Sequence, residues 1–70
     1  MAVYVDSAKH PFRGMLMHHL MADSLDELHD MAHRIGMKRI WFQDRGTPHY
    51  DICQTRRALA IKLGAIETEY

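Results

Sequence analysis

The segment from Ser24 to Gly36 constrains this chain more than any other, because its local signals all specify a helix. Ser24 with Glu27 three residues on makes a capping box, in which hydroxyl and carboxylate satisfy the first turn. Leu25, Leu28, Met31, Ala32 and Ile35 recur at helical spacing and define one apolar stripe. Asp26 and Glu27 suit the positive end of the helix dipole, and His33 and Arg34 suit the negative end. Gly36 stands where a left-handed residue ends a helix. A helix with one apolar stripe must bury it against a second layer, and the flanking runs supply strands for that layer.

Val3-Tyr4-Val5 is a β-branched and aromatic run that ends at Asp6 and reads as a first strand. Lys9 to Gly14, with Pro11 and Gly14, reads as a loop. In Met15 to Ala22, His18 and His19 interrupt every helical face, so a second strand is expected. Arg39-Ile40-Trp41-Phe42-Gln43 is the third strand, closing a strand–helix–strand unit that should be parallel and right-handed. Asp44 to Pro48 is a loop. A second helix starts between Asp51 and Thr55 and runs to Leu63, with Ile52, Leu59, Ala60 and Leu63 on its stripe and Gly64 as terminator. Ala65 to Glu69 forms a last strand. The expected fold is a single small two-layer α/β domain, with about four short, mainly parallel strands and two helices.

A chain of 70 residues buries only about 60% of the surface its unfolded form exposes, so its core needs a supplement. Cys53 is the lone cysteine, which excludes an internal disulfide and leaves a metal or a second copy of the chain. The same lone cysteine, without a charged and then apolar leader at the N-terminus, points to a reducing, cytoplasmic setting. No apolar run approaches the ~20 residues of a membrane span. Nine basic and nine acidic residues balance to zero net charge, which speaks against a nucleic-acid partner.

Six histidines carry the chemical interest, because neutral imidazole both shuttles protons near neutral pH and binds metals. His29 and His33 stand four apart on the first helix, the spacing of helical zinc proteases, yet Asp30-Met31-Ala32 between them lacks the glutamate base. On a helical wheel His29 lies nearer the buried stripe than His33, on a flank shared with Asp26. Asp6 ends a strand, and ligand sites of open α/β sheets gather at strand carboxyl ends. His49 and Asp51 alternate around Tyr50.

In combination these positions make a pattern: Val3-Tyr4-Val5-Asp6; His19-Leu20 with Ala22-Asp23; and Glu27-Leu28-His29 with Ile35-Gly36. It continues through Arg39 with Trp41-Phe42-Gln43, then His49-Tyr50-Asp51, and Arg57-Ala58 leading to Gly64-Ala65 and Glu67. The pattern resembles a family of small bacterial and phage proteins defined as a domain of unknown function. The resemblance covers nearly the whole chain. It lends weight to Asp6, His19, His29, His49, Tyr50 and Asp51 as polar pocket residues, and implies a bacterial or, if phage-encoded, host cytoplasm. Met17-His18 departs from the Trp-Cys that members carry at this point, so the pattern gives His18 no role.

Three functions of different class follow. The first is an accessory protein working through contacts with an unidentified protein partner or a second copy, with a polar His/Asp pocket. The second is a minimal metal-dependent phosphodiester hydrolase, nuclease-like in its chemistry. Here His29, His49 and Asp51 would hold a divalent zinc or manganese, and Arg39 and Arg57 would contact phosphate. The third is a nucleic-acid-binding module, with Trp41-Phe42 beside Arg39 as stacking surface.

Overall fold

A computed structural model describes residues 2–7, 9–12 and 14–69. Five strands and two helices follow in the order β1 (Val3–Asp6), β2 (His10–Phe12), β3 (Met15–Ala22), α1 (Leu25–Arg34), β4 (Tyr50–Cys53), α2 (Gln54–Lys62) and β5 (Ile66–Thr68). A single 3-10 turn, Arg39–Trp41, lies between α1 and β4. The small α/β class and both helices are as the sequence predicts. The balance of strand directions is not: β3 runs antiparallel to β1, β2 and β4, and only β1 with β5 is parallel.

The reason for the difference is local. Phe12 pairs with Met15, closing a two-residue hairpin in which Gly14 takes φ 78°, and so short a connection forces antiparallel strands. The expected loop from Lys9 to Gly14 therefore contains β2, while Arg13 lies outside the described residues. The third strand expected over Arg39–Gln43 is also replaced. Trp41 and Phe42 donate their backbone N–H groups to Lys38 and Arg39, winding the 3-10 turn, and leave Ile40 85% exposed. Strand propensity there yields to tertiary context. Gln43 alone keeps a strand contact, exchanging two backbone hydrogen bonds of 2.9 Å with His49.

Helix α1 keeps its sequence signals. Ser24 Oγ accepts the Glu27 N–H and donates to the Glu27 carboxylate. The stripe is buried at Leu28, Met31, Ala32 and Ile35, whereas Leu25 at the first turn is exposed. It packs on Val5, Leu20, Tyr50 and Ile52, the alternate residues of β1, β3 and β4. Ala60 is the buried contribution of α2. Leu59 is exposed and Ile52 belongs to β4, so the stripe expected of the second helix reduces to Ala60, with Ile61 and Leu63 packing at its edge. Arg56 crosses between the helices and donates to the Ile35 carbonyl at 2.5 Å. Gly36 has φ 84°, a left-handed backbone that favours glycine, and the Arg56 guanidinium passes close to it, 2.7 Å from where a Cβ would stand.

Candidate metal centre

Where β1 passes into β2, the antiparallel ladder on β3 is interrupted. Val5 pairs with Leu20 and His10 with Met17, so the register of β2 on β3 is offset by two residues from that of β1 on β3. Such an offset has the character of a β-bulge, a feature that re-aims side chains next to functional sites. The Asp6 carboxylate fills the gap. Its Oδ1 accepts the backbone N–H of His19 at 2.9 Å, and its Oδ2 accepts Nδ1–H of the same residue at 2.5 Å. Asp6 is buried, and its own carbonyl accepts Nε–H of Arg57 at 2.9 Å.

His19 lies directly opposite Asp51 in the β3–β4 register, so their side chains emerge on one face of the sheet. His49 joins from the residue just before β4, where it bridges to Gln43. Its Nδ1–H donates to the Thr47 carbonyl at 2.8 Å. Carbonyl and carboxylate oxygens accept, so each imidazole carries its proton on Nδ1 and turns a lone pair at Nε2 inward. The Nε2 atoms of His49 and His19 stand 3.5 and 3.9 Å from Asp51 Oδ1. Asp51 Oδ2 accepts from Gln43 Nε2 at 2.7 Å. The two rings meet edge to face, with centroids 5.3 Å apart.

One ligand atom from each of His19, His49 and Asp51 falls within 4.8 Å of the others, a group that could hold a metal ion. Tetrahedral bonds of about 2.1 Å place ligand atoms roughly 3.4 Å apart, close to the 3.5 and 3.9 Å that separate the two imidazoles from Asp51. Each ligand also has a second partner that fixes its orientation: Asp6, the Thr47 carbonyl and Gln43. Outer partners of this kind are what orient the ligands of metal sites.

The other expected site residues lie elsewhere. His29 is on α1, where Nδ1 meets the Tyr50 hydroxyl at 2.8 Å and the ring packs edge-on to Phe42 at 4.6 Å. Tyr50 alternates with Asp51 along β4 and so faces the helices. The pocket expected around Asp6, His29, His49 and Asp51 is thereby divided by the sheet, and His19 stands in the ligand group in place of His29. Burial pushes the His29 pKa down, nearby Arg39 pushes it further, and Asp26 partly offsets both. Burial raises the Tyr50 phenol, with Arg39 opposing. His33 is exposed. Of the two expected phosphate contacts, Arg57 is bound to the Asp6 carbonyl and to Glu67 at 3.2 Å. Arg39 lies close enough to His29 and Tyr50 to act on both.

Gln43 and Thr47 escape a reading of the sequence as site residues. Thr47, two residues before His49 in a turn, acts through its backbone and leaves no side-chain signal. Gln43, in Trp41-Phe42-Gln43, sits in a run whose composition argues strand.

No helix among the described residues is long and apolar enough to cross a membrane. Neither a curated protein nor a solved structure matches the chain. A family model, that of the DUF4031 proteins of unknown function, matches residues 3–70. The His/Asp group thus lies in a domain matched over nearly its whole length, and the chain belongs to the DUF4031 family.

Proposed function

We propose that this protein binds a divalent metal through His19 Nε2, His49 Nε2 and Asp51 Oδ1, and uses it to activate water for hydrolysis. One observation carries the reading. Both imidazoles spend Nδ1 on oxygen acceptors and turn Nε2 toward the same carboxylate oxygen. Two nitrogens and one oxygen suit zinc, with manganese a harder-ligand alternative. Three protein ligands leave a position for water, the pattern of catalytic rather than structural zinc. A phosphodiester is the proposed substrate class, because a metal polarises phosphoryl oxygen as well as water. Arg57 serves this centre by holding the Asp6 backbone. The cytoplasm is the proposed setting, where the lone Cys53 stays reduced.

The test combines metal analysis of protein purified without an affinity tag with thermal melting in zinc, manganese or chelator. A folded-state ion adds about 2.7 kcal/mol at a hundredfold excess over Kd. The expected melting shift is present at pH 7.5, lost at pH 5.5 as imidazole protonates, and absent in His19→Ala and His49→Ala. A chromogenic phosphodiester then reports turnover. Melting that ignores every metal overturns the reading.

A second reading, contact with a protein partner or another copy, is favoured by the 3-10 turn. Ile40 is 85% and Trp41 44% exposed, with Lys38 Nζ 5.5 Å from the Trp41 ring. Sedimentation at rising concentration, wild type against Ile40→Asp, tests self-association. The same exposed indole is what base stacking would use, though zero net charge weighs against nucleic acid.

A further inference from the structure

On the face of β3 opposite His19 lies a cleft of about 250 Å³, lined by Ser7, Lys9, His18, Gln54 and Arg57. Every one of these side chains can donate a hydrogen bond, and none is a carboxylate. The bulge between β1 and β2 supplies Ser7 and Lys9, β3 supplies the buried His18, and α2 supplies Gln54 and Arg57. Arg57 is fixed from behind, through Nε to the Asp6 carbonyl and Nη2 to Glu67. Gln54 opens the nine-residue helix α2, whose N-cap Cys53 makes no side-chain cap hydrogen bond, so the helix dipole adds to the positive field there.

We propose that this cleft binds a phosphate group, either free inorganic phosphate or the terminal phosphate of a phosphoester. The volume lies below the roughly 300–1,000 Å³ of sites that enclose a whole small molecule, and so matches the charged group rather than a complete nucleotide. Lysine and arginine are the residues by which proteins hold phosphate, as point charge and fork respectively. The cleft shares no lining residue with the ligand group; Arg57 touches both through the Asp6 backbone, and the inference does not require a metal to be bound.

The experiment is calorimetric titration of the full chain at pH 7.5 and constant ionic strength, with inorganic phosphate, adenosine monophosphate and chloride as probes. Wild type and His49→Ala are expected to bind phosphate saturably and alike, and chloride not at all. Lys9→Glu, at an exposed position, is expected to weaken binding at least tenfold, and Gln54→Ala to weaken it less. Tighter binding of the nucleotide than of phosphate assigns the site to phosphoesters, and the reverse to the free anion. No saturable binding, binding unchanged in Lys9→Glu, or binding lost in His49→Ala would each overturn the proposal.

Discussion

The two faces of strand β4 meet histidines held in opposite ways. On the helix side, His29 meets a phenol and packs against two aromatic rings, Phe42 and Tyr50, with centroids 4.6 and 5.8 Å away. On the other side, His19 and His49 are oriented by oxygen acceptors around a carboxylate. The first environment lowers the proton affinity of its imidazole by burial. The second turns two Nε2 atoms toward one carboxylate oxygen. Position along the chain does not distinguish Tyr50 from Asp51, but the pleat does: one residue of advance turns the side chain from the helix-packed face to the face shared with His19 and His49.

The comparison can be broken most decisively at β4. Tyr50→Ala should cost about 3–5 kcal/mol, as a buried aromatic truncation, measured by urea titration. His49→Ala should cost under about 1 kcal/mol in metal-free protein, as a part-exposed position, while abolishing metal-induced stabilisation. Equal losses would show that the two sides do not differ in kind.

A finer test addresses Asp6. In Asp6→Asn the amide can still accept the His19 N–H, but it meets Nδ1 with a donor or a weaker acceptor. His19 then loses the fixed tautomer that leaves Nε2 unprotonated. Metal affinity should fall by about 10- to 100-fold, the usual cost of removing such an outer partner, read by competition with a chromogenic chelator. Unchanged affinity would show that the carboxylate only repairs the bulge.

The smallest effect belongs to His29. Its folded pKa lies below the ordinary value, so the unfolded chain binds the extra proton first as pH falls. Stability should therefore decline as pH drops through about 6.5, and the decline should end below the folded pKa. His29→Gln should flatten this slope in denaturant midpoints measured in the absence of metal. A slope that steepens with falling pH in His29→Gln would assign the titration to another group.

Helix α1, β1 and β3 were legible because each carries its own period, cap or apolar run, decided within a dozen neighbouring residues. Strand β4 was not. Tyr50-Asp51-Ile52-Cys53 is only four residues long and runs straight into α2, so it reads as the approach to a helix. Its partner is remote in sequence, and the register that sets His19 against Asp51 has no local signature. The site inherits that limit. Asp6, His19, His49 and Asp51 could be singled out by residue type and resemblance, but the choice between His19 and His29 depends on which sheet face each meets. The helical wheel placed His29 at the edge of the stripe, where it lies half-buried, and could say nothing about the face of the strand opposite.

His49 is oriented by the carbonyl of Thr47, and His19 by the side chain of Asp6. Substitution can delete a carboxylate but not a main-chain oxygen. The two imidazoles therefore differ in how heredity can reach them. At Asp6 a single codon change can remove the acceptor that orients His19. At residue 47 any amino acid that preserves the turn supplies the same acceptor, and the loop can change its chemistry toward solvent while His49 keeps its partner.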